Sequence, residues 1–122
     1  MLAKKIYSIL HVDDDKMFLD MVSLMLKDTE FKLDFAYNGE DAVTKAFRNQ
    51  YDIIIMDIMM PVMDGKTASK TIKRMIPKVP IMALTAFDVN DLNSYSIDHA
   101  IRKPVTKEVL IKNIKILLDK FK

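Results

Sequence analysis

Asp13 and Asp14, Asp57, Thr85 and Lys103 each stand where a hydrophobic run stops: Ile6 to Val12 before the acidic pair, Ile53 to Met56 before Asp57, Ile81 to Leu84 before Thr85, and a shorter fourth run before Lys103. Carboxylate, hydroxyl and ammonium groups are the side chains that hold a hard metal ion or a phosphate. If the three acids share one crevice, each anion raises the cost of ionising the next unless something positive lies among them. A hard divalent cation meets that need. Magnesium, which takes one or two carboxylates with waters and a phosphate oxygen, suits a partly filled acidic pocket better than calcium does. Zinc is disfavoured in a chain with no cysteine and no clustered histidines.

Of the three acids, Asp57 is the best nucleophile. It stands alone at a strand end, followed by a loop able to leave space for a donor, and phosphoryl transfer to it yields an acyl phosphate. Such a transfer needs neutralisation of charge more than movement of protons. The metal would hold one phosphoryl oxygen, a lysine ammonium another, and a hydroxyl with backbone amides the third. Lys103 and Thr85 fit the last two duties.

These residues need a scaffold that brings them to one edge. Short apolar runs rich in β-branched residues read as strands buried on both faces, as in a parallel sheet between helices. The expected strands are Ile6–Val12, Lys32–Tyr37, Asp52–Asp57, Ile81–Leu84 and His99–Arg102. Between them, Met17, Met21, Leu24 and Met25, with Phe18 and Val22 beside them, have helical spacing, ending near Lys27. Asn38 is placed to cap a second helix that buries Ala42, Val43, Ala46 and Phe47. Pro61 and the Asp64-Gly65 turn precede a third helix, about Lys66 to Met75, with Ala68, Ile72 and Met75 inward. Residues Asp88 to Ser96 have room for one short helix capped by Asp88 or Asn90. Pro104 and Thr106 lead into a last helix striped by Leu110, Ile114, Leu117, Leu118 and Phe121. Its lysines read as a solvated face with a Glu108–Lys112 pair rather than a basic patch.

Five strands alternating with helices predict an α/β domain, a doubly wound five-stranded parallel sheet of strand order 2-1-3-4-5, flavodoxin-like. In that order strands one and three are neighbours, and Asp13 and Asp14 face Asp57 across a strand spacing of roughly 5 Å. Strand five lies roughly 10 Å from strand three, a gap that an extended lysine stem largely bridges.

At 122 residues there is room for one domain, 1–122. With 19 basic and 17 acidic side chains the net charge is +2, no footprint for direct nucleic-acid binding. Without cysteine there is no disulfide and no sign of an oxidising compartment. The first apolar run is too short for a signal or membrane segment, so the chain is expected to be cytoplasmic, with no membrane partner.

Val12-Asp13-Asp14, Asp57 followed by Met60-Pro61-Val62-Met63-Asp64-Gly65, Leu84-Thr85-Ala86 and Lys103-Pro104 together closely resemble the receiver domain of two-component response regulators, over essentially the whole chain. The resemblance implies that Asp57 accepts phosphate from a histidine kinase or histidine phosphotransfer protein and that the switch then controls a downstream protein target. Such a switch catalyses only its own phosphorylation and dephosphorylation. It also implies that Asp14 and Asp57 ligate Mg2+ directly, that Asp13 acts through water, and that the Met59 carbonyl completes the protein ligands. Thr85, Ala86 and Lys103 would bind the phosphoryl group, and a cis peptide would join Lys103 to Pro104. Two features depart from the family pattern. Ala100 stands where an aromatic toggle is usual, with Tyr95 read as an ordinary surface tyrosine sooner than as its substitute, and the segment from Thr85 to Lys103 is about one helical turn short.

Other residues carry less. Met59 and Phe87, each two past a site residue, are placed either to shield an acyl phosphate or simply to cap the core, and Met56, Met59, Met60 and Met63 to repack around the site. His11 reads as a hydrogen-bonded core residue, His99 as no phosphodonor, and Asp15 as a helix cap. Two rivals remain: a degenerate receiver acting only as a docking module, and a haloacid-dehalogenase-type phosphohydrolase using the Asp-x-Asp of Asp13-Asp14-Asp15. The second would be short for its class and lacks that class's cap insertion and late acidic pair. A chain of this length is expected to carry no DNA-binding or enzymatic output domain, as in a stand-alone regulator or a receiver taken from a larger protein.

Overall fold

The computed structural model describes residues 5–86 and 96–121. Five parallel strands, β1 (Tyr7–Val12), β2 (Phe31–Ala36), β3 (Ile53–Met56), β4 (Ile81–Thr85) and β5 (His99–Arg102), form one sheet in the order β2-β1-β3-β4-β5. The described helices are α1 (Lys16–Met25), α2 (Gly39–Arg48), α3 (Gly65–Met75) and α4 (Lys107–Lys120). Residues 87–95 lie outside the described residues, and with them Phe87, Tyr95 and all but the last residue of the helix expected over 88–96, including its caps Asp88 and Asn90.

Side chains alternate across the strands, and each face of the sheet takes its own helices. Leu10, Val12, Ile54, Met56, Ile81 and Ala83 pack with Ala42 and Ala46 of α2 and Ala68 and Ile72 of α3. Ile9, Ile53, Ile55, Met82 and Leu84 pack with Phe18 and Val22 of α1 and Leu110, Ile114 and Leu117 of α4. Both faces are covered, which is why β3 and β4 up to Thr85 read as unbroken apolar runs.

Local chemistry sets the boundaries. Asp15 caps α1, its Oδ1 accepting the amides of Met17 and Phe18, and Asn38 caps α2 through the amide of Asp41 at 2.8 Å. Asp64 accepts the amide of Thr67 at 2.8 Å, so α3 starts at Gly65, one residue earlier than expected. The Tyr7 amide donates to Glu30 O and Tyr7 pairs with Phe31, which leaves Ile6 outside β1 and starts β2 one residue early. β3 is shorter than expected by one residue at each end, and β4 runs on through Thr85.

The buried side of α1 departs from the sequence expectation. Phe18, Leu19 and Val22 face the sheet, while Met17, Met21 and Leu24 face outward, Met17 80% and Leu24 72% exposed. Both sets satisfy helical spacing, and only docking on the sheet selects between them. Phe47 and Met75 are likewise outside, near the C-terminal ends of α2 and α3, while Ser69 takes an inward position on α3. On α4, Leu110, Ile114 and Leu117 are buried and Leu118 and Phe121 half-buried. Glu108 and Lys112 do not pair; Lys115 instead reaches Glu30 at 3.9 Å. Among the described residues no helix is long and apolar enough to cross a membrane.

Candidate functional site

The site forms where β1 and β3 end side by side. Val12 is in register with both Ala36 and Met56, the Asp57 amide donates to Val12 O at 2.9 Å, and the Asp13 amide donates to Ala36 O at 3.1 Å. The next side chains along each strand therefore emerge at one edge. Carboxylate oxygens of Asp13, Asp14 and Asp57 all lie within 4.8 Å of one another. Asp13 and Asp57 are buried and Asp14 is exposed, giving a closed floor with one open lip.

Lys103 reaches this floor from β5. Its Nζ donates to Asp13 Oδ2 at 2.6 Å and lies 3.7 Å from Asp57 Oδ2, so the lysine stem spans the two-strand gap. The ammonium also lies 4.2 Å from the centroid of the Phe18 ring, at the start of α1. The remaining oxygens are held by backbone: Asp13 Oδ1 accepts the Asp15 amide at 2.9 Å, and Asp57 Oδ1 the Ile58 amide at 2.8 Å. Burial pushes the Asp13 carboxyl above the usual aspartate value, and the Asp57 charge adds to this, against the hydrogen bonds from Lys103 and the Asp15 amide. Three acids against one ammonium leave the cluster net negative. An all-oxygen donor set of this size and openness fits magnesium.

Thr85 ends β4, buried, and its carbonyl accepts the Lys103 amide at 2.9 Å, which ties the hydroxyl-bearing and ammonium-bearing strand ends together. Ala86 is exposed just beyond it. The Lys103–Pro104 peptide is cis, as the resemblance implied. In the β3–α3 loop Met59 is exposed, Met60 and Met63 are half-buried against the α2–α3 side of the core, and Val62 has φ 70°, a left-handed conformation that costs a β-branched residue strain. Ala100 packs half-buried against the same core.

The expectation for His11 is corrected in part. It is buried, but among the described residues neither ring nitrogen has a hydrogen-bond partner. Burial, with Lys103 nearby, lowers its pKa to about 3, so the ring is neutral and packs edge-on to Phe18 with centroids 5.8 Å apart. His99 lies at the other end of its strand, its Nε2 donating to Asn113 Oδ1 at 2.6 Å. The Lys103–Asp13 pair, the Phe18 ring and the packing of Gly65 against Asp57 were not read from the sequence. None has a local signal, since each joins residues set together by the sheet or by helix docking.

A groove of about 850 Å³ at the opposite edge of the sheet, bordered by Tyr7, Phe47, Tyr51 and Phe121, contains none of these residues.

Comparison with known proteins gives one answer. The model of the response regulator receiver domain family matches residues 9–115. The chain is 33% identical over 106 residues to the transcription factor SKN7 of Chaetomium thermophilum, covering 82% of this chain and 14% of that protein. It is 30% identical over 114 residues to the regulatory protein VanRB of Enterococcus faecalis, covering 90% of this chain and 51% of that protein. It thus spans about half or less of these relatives. Among solved structures, the receiver domain of a Pseudomonas aeruginosa sensor histidine kinase, with a magnesium ion coordinated in its active site cleft, superposes with a TM-score of 0.86 at 27% identity, covering 93% of this chain and 98% of that one.

Proposed function

Because the chain belongs to the response regulator receiver domain family of two-component signalling, we propose that Asp57 accepts a phosphoryl group from a phosphohistidine donor and that the resulting acyl phosphate switches contacts with a protein partner. The observation that carries this reading is the position of the Lys103 ammonium, 2.6 Å from Asp13 and 3.7 Å from Asp57 at a net-negative strand edge. It is poised to meet charge that arrives on Asp57. A carboxylate oxygen of Asp57 bonds to phosphorus as the phosphorus–nitrogen bond of the donor breaks, and the departing nitrogen, which keeps that electron pair, takes a proton from solvent to leave a neutral histidine.

Asp14 and Asp57 would hold Mg2+ directly, Asp13 through a water and Met59 through its carbonyl, and the bound ion supplies neutralisation of the phosphoryl oxygens. The Ile58 amide holds Asp57 Oδ1 by a hydrogen bond of 2.8 Å. Lys103 shifts from Asp13 toward the phosphoryl oxygens, and Thr85, joined to Lys103 through the β4–β5 ladder, donates its hydroxyl to them. Asp13 is committed to Lys103 and the Asp15 amide, which argues against it as the nucleophile of a phosphohydrolase.

The outward strip of Met17, Met21 and Leu24 begins three residues after Asp14 and offers an apolar surface to a histidine kinase or phosphotransfer protein. The downstream target is a protein, and the setting is cytoplasmic. Incubation with Mg2+ and acetyl phosphate, read by intact mass, tests the reading. The parent chain gains one phosphoryl group and Asp57→Asn gains none; uptake that survives Asp57→Asn refutes it, as does turnover of phosphate esters lost in Asp13→Asn alone.

A further inference from the structure

The Lys103 ammonium has a third neighbour besides its two carboxylates. The face of the Phe18 ring lies 4.2 Å from Nζ, and Phe18 is 8% exposed at the start of α1, so the contact is shielded from water, where a cation and an aromatic quadrupole attract most. Behind Phe18, the buried His11 ring meets it at an interplanar angle of 70°. That edge contact, with the packing of α1 on the sheet, fixes which way the ring faces.

The three neighbours are not equivalent once the site is in use. Asp13 is also a residue that a dication would claim, and Asp57 is the group that changes chemically. The Phe18 ring is neither a metal ligand nor the phosphoacceptor, so its attraction for the ammonium competes with neither event. We propose that Phe18 is a positioning residue for phosphoryl transfer, an aromatic platform that keeps the Lys103 ammonium over the acidic cleft when Asp13 and Asp57 are engaged elsewhere. The proposal rests on the phosphoacceptor reading of Asp57. It requires the ring's electrons and not merely its bulk: leucine fills a similar volume without attracting a cation.

Two measurements test it. In the metal-free protein, the Lys103 side-chain methylene protons next to Nζ resonate upfield of ordinary lysine values because they lie over the ring, and Phe18→Leu removes that displacement while Phe18→Tyr keeps it. Ordinary shifts in the folded parent overturn the platform. In the second measurement the initial rate of phosphorylation by acetyl phosphate with Mg2+ falls about fivefold when the Phe18 ring is made pentafluorophenyl, which preserves its shape and reverses its quadrupole. The loss disappears in a Lys103→Met background, as a purely structural effect would not. A folded pentafluorophenyl variant with the parent rate, or an equal loss in both backgrounds, overturns the proposal. Failure of the unaltered protein to take up phosphate would instead refute the phosphoacceptor reading, and the resonance displacement then decides the platform by itself.

Discussion

Replacing Gly65 by alanine tests how tightly the phosphoacceptor is braced from behind. A Cβ at this position would be driven onto the carbonyl oxygen of Asp57, with the Asp57 carbonyl carbon and Met56 Cγ each 2.9 Å away. The first two obstacles are backbone and cannot rotate aside. Gly65 is also anchored, its amide donating to Ile58 O at 3.0 Å, while Asp57 is anchored by its own amide to Val12 O. Restoring ordinary contact requires the start of α3 and the end of β3 to part by more than about 1 Å. Overpacking of this kind costs about 1–3 kcal/mol, and the better helix propensity of alanine returns less than about 1 kcal/mol at a first helical residue. The expected net loss is about 1–2 kcal/mol, a fall in Tm of about 4–8 °C for a chain of this size. Because the displaced atoms belong to Asp57, phosphorylation by acetyl phosphate slows more than stability alone accounts for, by about 10- to 100-fold. Thermal unfolding by circular dichroism and the rate of phosphoryl uptake by mass spectrometry measure the two effects. A Gly65→Ala protein with the parent Tm and the parent rate would refute the reasoning.

Asp57→Asn stabilises the metal-free protein by about 1–2 kcal/mol in urea unfolding with a chelator present, since at an effective dielectric near 20 the repulsion from two carboxylates outweighs the attraction of Lys103 at 3.7 Å. Magnesium then adds less stability to the variant than to the parent; a destabilised variant contradicts the charge balance. Tyr51→Phe removes the hydroxyl that donates to Asp34 Oδ2 at 2.6 Å and costs about 1 kcal/mol at pH 7. Burial pushes the Asp34 carboxyl up, but the hydrogen bonds from Tyr51 and the Phe35 amide, with the Lys45 charge, more than offset it and hold it below the ordinary aspartate value. The stability it contributes is therefore present above that value and is lost as pH falls through the lowered one, so the parent–variant difference shrinks in acid; a difference that grows in acid would show the sign to be wrong. Met59→Asn puts a polar amide in place of an exposed thioether two residues past Asp57 and shortens the acyl-phosphate half-life about fivefold, equivalent to roughly 1 kcal/mol. An unchanged decay rate means that Met59 does not shield the group.

The central strands were legible in the chain because strands buried on both faces must be largely apolar, their alternation with helices pointed to the doubly wound order, and the polar residue that ends each one marks the edge. Asp13, Asp14, Asp57, Thr85 and Lys103 could be placed at a single edge on that ground alone. The caps Asp15 and Asn38 were legible for a related reason, since a cap acts on amides two or three residues away. What lay beyond the sequence was every choice made by contact at a distance. Two apolar faces of α1 have the same periodicity, and only docking on β1 and β3 buries Phe18 and Val22 and leaves Met17 and Leu24 outside. That docking also puts the Phe18 ring against Lys103, 85 positions along the chain. Nothing local tells Lys103 to bond to Asp13 at 2.6 Å while standing 3.7 Å from Asp57, or places Gly65 against the carbonyl of Asp57. Periodicity and capping are written in neighbouring residues and survive without a fold, whereas the partner of a charge or the clearance of a Cβ is settled only when elements far apart in sequence pack together.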